Sequence, residues 1–288
     1  MDWNNIGVLM FLPKYYYYRG VMAERVNILK TDYEMDRTDW TQVVSAVFGG
    51  MLRVQDMIEM YVAKGQGWNV DFATHKIKIG NSTYPIQFIG SESIQSNDWL
   101  WGWENINGFD DSLLELVDEA RAFGEKVGFD ALTAPNLPLT QSVTGYILSM
   151  IACGISDKNY GYYPCKHSGG VAFVALYDLP EKFFAPVNST GFISNIMKAI
   201  SLYELDHKIL VEGFLAWNGC DYHWEDNNIY ATFENKEQLL IRFENIGDKK
   251  RIKNIVRESK EKKGGLRKGF SVFIDVLRFA FEGVDKAV

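Results

Sequence analysis

Trp99, Trp101 and Trp103 alternate with Leu100 and Gly102, and this alternation constrains the fold more than any other feature of the chain. Successive side chains of a strand point to opposite faces, so three tryptophans at period two share one face, whereas a helix would scatter them. The polar run Gln95, Ser96, Asn97, Asp98 separates them from a β-rich stretch at 84–94, which reads as the other arm of an antiparallel hairpin. A loop of two or four residues sets Ile94 opposite Trp99, Glu92 opposite Trp101 and Gly90 opposite Trp103. Ile86, Phe88, Glu92 and Ile94 then share the indole face. Three indoles on one face need either a thick apolar layer packed against them or a ligand. The plainer reading is a core face beneath helices. The sharper one is a pocket wall, with Gly90 leaving room for a ligand or a flat-lying indole.

On the pocket reading, the binding residues are Trp99, Trp101, Trp103, Glu92, Ser91, Ser93 and Asn105. Glu92 sits among indoles, either at the rim or buried with a partner. Burial disfavours the charged carboxylate, which makes Glu92 the candidate catalytic acid or base. Ser91, Ser93 and Glu104 occupy the opposite face, towards solvent or a groove.

The rest of the chain alternates helical and strand-like stretches. Asp39 can cap a helix with an apolar stripe from Val43 to Tyr61, stopped by Lys64-Gly65-Gln66-Gly67. Gly49 and Gly50 inside it permit a close helix contact or a kink. Strands are expected at 68–72, 76–79 and 171–177, and helices at 110–127 and 140–153, with loops at 134–138 and 157–170. The stretch 180–187 reads as a linker. Beyond it come a helix capped by Ser189 or Thr190, a helix at 205–217, and strands at 220–224, 228–233 and 238–243. A helix followed by a three-strand meander thus occurs twice. Tyr15 to Tyr18 suit a further strand.

These elements predict an α+β fold: an antiparallel sheet covered by helices, with a smaller C-terminal helix-plus-three-strand meander. Three parts are expected, a main α+β domain at 1–180, a helix-and-meander unit at 188–245, and a basic segment with an amphipathic helix at 246–288.

Charge narrows the partners. The net charge is −7, but 249–268 holds ten Lys or Arg against Glu258 and Glu261. The remainder has 20 basic and 35 acidic residues, a balance of −15 that argues against nucleic-acid binding on the body. No apolar run is long enough to span a membrane, and 6–12 lacks the flanks of a signal peptide, so a cytoplasmic protein is expected. Three cysteines, an odd number set far apart, do not suggest a disulfide framework. Phe270, Phe273, Ile274, Leu277 and Phe281 form one stripe if helical, which would dock on the acidic body, a partner, a membrane surface or a second copy of the chain.

Gly90-Ser91-x-Ser93 followed by Trp99-Leu100-Trp101-Gly102-Trp103-Glu104-Asn105 resembles an uncharacterised bacterial family of unknown function marked by GSxS…WLWxWxN. The resemblance spans about 68–243, with Glu104 standing where the pattern has a small residue. It implies a bacterial or phage-borne cytosolic protein and supplies no activity.

Cys165, His167, Cys220 and His223 contain the ligand types of a zinc site, but their local spacings do not match one, and no metal or other cofactor is expected. Cys165 and His167 as nucleophile and base lack an orienting carboxylate. Asp110, Asp111, Glu115 and Glu119 read as capping and a solvated face. The functional expectation is a non-enzymatic binding protein. Its aromatic-lined pocket would take a small, nucleotide-like molecule or a protein partner, as in bacterial conflict or immunity. The alternatives are an enzyme built on Glu92 and an interaction protein acting through the C-terminal segment.

Overall fold

The computed structural model describes residues 26–258 and the pair Ile274–Asp275. The run Tyr15 to Tyr18 lies outside them. The first long element is α1 (Trp40–Ile58), opened by Asp39, whose carboxylate accepts the Gln42 N–H at 2.8 Å. It ends through one wide turn, Glu59–Ala63, and Lys64 in the left-handed region (φ 32°).

Seven antiparallel strands form the first sheet: β1 (Trp68–Asp71), β2 (Lys76–Ile79), β3 (Ser82–Ser93), β4 (Asp98–Trp101), β5 (Asn136–Pro138), β6 (Gly161–His167) and β7 (Gly170–Leu176). The long β3 is its spine. Residues 82–85 pair with β2, while 86–93 pair with β7 on one side and, through 90–92, with β4 on the other. Two helices accompany this sheet, α2 (Glu115–Val127), closed by Gly128 at φ 78°, and α3 (Gly145–Ile155), capped by Thr144.

Two strands stand where loops were expected. Pro138 ends the short β5, and Gly161 and Pro164 disguise β6. The same residues explain how the outer edge of β6 is closed. The Gln55 side chain accepts from Tyr162 N and donates to Tyr162 O, both at 3.0 Å, copying a neighbouring strand. Two residues on, Pro164 offers that edge no N–H at all.

Beyond a turn at 181–183 come α4 (Ser189–Leu202) and α5 (His207–Trp217). Then follows a second antiparallel sheet in meander order: β8 (Asp221–Glu225), β9 (Asn228–Thr232), β10 (Gln238–Ile246), β11 (Lys249–Glu258) and the two-residue β12 (Ile274–Asp275). The expected three-strand meander is present and longer.

The basic segment 249–268, for which no strand was expected, is a strand over its first half, β11. A bulge explains why pattern reading missed it. Register shifts between Arg242 and Phe243, so Ile252 pairs with Phe243 and Ile255 with Ile241, and both are buried although three positions apart. The basic side chains turn outward onto acidic groups, Lys249 and Arg251 to Glu204 at 3.2 and 3.3 Å and Lys253 to Glu244 at 3.5 Å. Of the amphipathic helix expected over 270–281, Ile274–Asp275 pair with β11 as a strand instead. Its other residues lie outside those described.

One hydrophobic core runs through both sheets and takes in Phe183 and Phe184 from the stretch read as a linker. The α1–α5 contact shows the use of Gly49 and Gly50. A Cβ at either would lie 2.6 Å from Phe214 or 2.5 Å from Trp217, so only glycine allows this approach. Among the described residues, no helix is long and apolar enough to cross a membrane.

Candidate functional site

The hairpin forms, with a register two residues from the expected one. Glu92 pairs with Trp99, Ser91 with Leu100 and Gly90 with Trp101. The turn begins earlier because Ile94 gives its N–H to Gly169 O at 3.1 Å and Asn97 turns the chain at φ 56°. Ile94 is 72% exposed, away from the indole face. A slip of two preserves the face, so Glu92 still shares a side with Trp99 and Trp101. The strand stops at Trp101, and Trp103 sits in the tight turn Gly102–Glu104, off the ladder.

Trp99 and Trp101 are among the most deeply buried large side chains, at 0% and 1% exposure. Trp99 meets Trp101 edge-on at 5.2 Å and Phe173 at 5.5 Å. The Trp101 indole N–H donates to Ala131 O at 3.0 Å. The space over Gly90 is filled by Trp99 itself, whose ring would stand 2.4 Å from a Cβ there. Half-buried Trp103 lies under the Arg121 guanidinium at 4.2 Å.

The polar candidates close backbone. Glu92 Oε1 accepts the Gly145 N–H at 2.6 Å, satisfying a free donor in the first turn of α3. Ser93 Oγ accepts from Ser96 N at 3.2 Å, and Ser91 is half-buried. Asn105, at φ 45°, donates to Phe109 O and accepts from Phe109 N, clasping a small loop.

The four metal-type residues are not brought together. Cys165 and His167 lie on β6 of the first sheet, while Cys220 and His223 lie at β8 of the second. Among the described residues, no three of His, Cys, Asp and Glu converge to hold a metal. Burial pushes the Cys165 thiol up to about 12 and Cys220 up to about 11. Cys165 faces the core whereas His167 is exposed, so they do not form a nucleophile–base pair.

Sequence reasoning missed a cavity of about 120 Å³ where α1, α3 and α5 meet. Ala46, Met51, Cys153, Tyr160, Phe184 and Trp217 wall it. Its polar border is built by residues distant in sequence. Asn27 donates to Gly154 O at 2.9 Å and Ile155 O at 3.2 Å, closing the carboxyl end of α3. Ser156 Oγ donates to Glu119 at 2.7 Å, and Lys30 bridges Glu119 and Asp157 at 3.0 and 2.9 Å. Burial, with Glu115 nearby, pushes the Tyr160 phenol up to about 12, so it stays a neutral donor at physiological pH. No periodic signal marks these positions; only the packing of three helices collects them.

A second buried polar group lies beside α5. Glu212 is 4% exposed and accepts from the Tyr33 hydroxyl, from Trp224 Nε1 at 2.8 Å and from Lys208 at 3.2 Å. Burial and the Glu212 charge both raise the Tyr33 pKa far above its ordinary value. Arg37 holds the adjoining loop by donating to the carbonyls of Ile28, Leu29, Thr31, Tyr33 and Met35.

Residues 41–179 match the model of DUF6882, a family of unknown function. The DUF6882 region runs from the start of α1 to just past β7, so it contains the hairpin and the first sheet. It starts earlier and stops earlier than the resemblance read from the hairpin. The cavity crosses its boundary: α1, α3 and Tyr160 are inside the DUF6882 region, while Asn27, Phe184 and Trp217 are outside. No curated protein and no solved structure matches this chain.

Proposed function

We propose that this protein binds a small organic molecule, without transforming it, in the cavity between α1, α3 and α5. The observation that carries this reading is the cavity itself. Its aromatic wall (Tyr160, Phe184, Trp217) and polar border (Asn27, Ser156, Asp157, Lys158) combine apolar burial with a few orienting groups, the usual make-up of a ligand site. A cavity of about 150 Å³ takes up benzene. At about 120 Å³ this one suits a ligand with a single small ring, and a nucleotide would have to extend through the mouth. The pocket reading thereby moves from the tryptophan hairpin, where Trp99 fills the space over Gly90, to the helix junction. A catalytic role for Glu92 is the weaker reading, because the Gly145 amide already engages its carboxylate. The GSxS…WLWxWxN resemblance supports a bacterial, cytosolic setting.

The test is native mass spectrometry of the full chain purified gently from a bacterial host, beside Ala46→Leu. Ala46 lines the cavity from α1, and leucine there fills it without breaking the helix. Extra mass on the wild type that is absent from the variant is the expected result. A bare wild-type chain contradicts small-molecule binding and favours a protein partner. Extra mass kept by Ala46→Leu places the ligand elsewhere.

A further inference from the structure

His207 opens helix α5, and its ring meets strand β11 of the second sheet. At the bulge the Ile252 N–H turns away from the ladder and donates to His207 Nδ1 at 3.1 Å. Ile252 is 1% exposed, so its amide has no water to fall back on. An Nδ1 that accepts a hydrogen bond carries no proton, which fixes the neutral ring with its proton on Nε2. Protonation would put two N–H groups face to face and remove the contact.

We propose that His207 is an acid-sensitive latch, holding β11 on α5 while neutral and releasing the strand when protonated.

The surroundings oppose the charged ring. It lies at the positive end of the α5 dipole, beside Arg251, which is itself fixed to Leu205 O at 2.9 Å and to Glu204. The other charges around it are already engaged. Glu204 pairs with Lys249 and Arg251, Asp206 caps Ile209 N at 3.0 Å, Lys208 pairs with Glu212, and Glu244 on β10 pairs with Lys253. Burial first, and then Arg251, lower the His207 pKa from 6.5 to about 4. The closed state therefore binds a proton less readily than the open one. Latch stability is fully present above pH 6.5, is lost as pH falls from 6.5 to 4, and is gone below that. Over that interval, opening becomes easier by on the order of a hundredfold.

The direct test is amide hydrogen exchange at Ile252 in the full chain by NMR, between pH 7 and pH 4, corrected for intrinsic exchange chemistry. The wild type is expected to lose protection at Ile252 and its β11 neighbours by on the order of a hundredfold, ahead of β9. His207→Gln, which keeps an acceptor and cannot titrate, is expected to stay protected. An equal loss in both proteins overturns the proposal. Should the variant fail to fold, imidazole ¹⁵N shifts of the wild type decide. A ring protonated on Nε2 alone, still neutral at pH 5, supports the latch, and one titrating near 6.5 overturns it.

Discussion

The tryptophan hairpin and the helix junction are built to opposite ends from the same aromatic stock. In the hairpin the Trp99 indole fills the ground above Gly90, and Trp99 and Trp101 are both fully buried. At the junction, the side chains of Tyr160, Phe184 and Trp217 surround about 120 Å³ of open volume. The difference comes from what each aromatic packs on. A glycine on the paired strand lets an indole lie flat, and Phe173 closes the layer from β7. At the junction the facing residues Ala46, Cys153 and Gly213 are small and leave the space between the rings open. Carboxylates follow the same division. Glu92 of the hairpin binds the backbone amide that opens α3, whereas the second half of the chain carries Glu212 inside the core.

The largest expected effect is on the filled side. Trp99→Ala should cost about 4 kcal/mol of unfolding free energy in urea, the range for a large aromatic removed from a close-packed core. A loss under about 1 kcal/mol would mean that the indole stands in a pocket after all, and the contrast between the two regions would collapse.

Next comes the polar half. Glu212→Ala leaves the Tyr33 hydroxyl proton and Trp224 Nε1 without their acceptor beside a buried gap, while Lys208 keeps its bond to the Tyr33 oxygen, and should cost about 3 kcal/mol. Tyr33→Phe, which removes one donor and leaves Glu212 two partners, should cost about 1 kcal/mol. Equal costs for the two would show that the carboxylate does not organise the group.

The smallest effect separates a cap from a catalyst. Glu92→Ala should lower stability by about 1 kcal/mol through loss of the carboxylate at the start of α3, measured by thermal unfolding. Glu92→Gln should recover most of it, because the amide oxygen still accepts from Gly145. No recovery would contradict the capping role.

Much of this fold was legible in the sequence, for reasons visible residue by residue. Asp39 marks a helix start through a hydrogen bond made within four residues, so local reading finds it. The strand at Lys76–Ile79 shows strict alternation and is recovered to the residue. Strands β6 and β11 escaped because their signals are overwritten, by Pro164 in one and by a bulge among lysines and arginines in the other. The hairpin register slipped by two because Ile94 binds Gly169 in the turn between β6 and β7 rather than β4, a choice made by a turn some 75 residues away. The candidate site was least legible. The cavity draws on Asn27, Ala46, Cys153, Tyr160, Phe184 and Trp217, and only three-dimensional packing brings these positions together.

The measurement that bears most directly on the contrast is native mass spectrometry of gently purified wild type, Ala46→Leu and Trp101→Phe side by side. Trp101→Phe disturbs the hairpin core and leaves the helix junction untouched. The bound mass is predicted to persist in Trp101→Phe and to vanish in Ala46→Leu. Loss in Trp101→Phe with retention in Ala46→Leu would contradict the assignment and return the ligand to the tryptophan face.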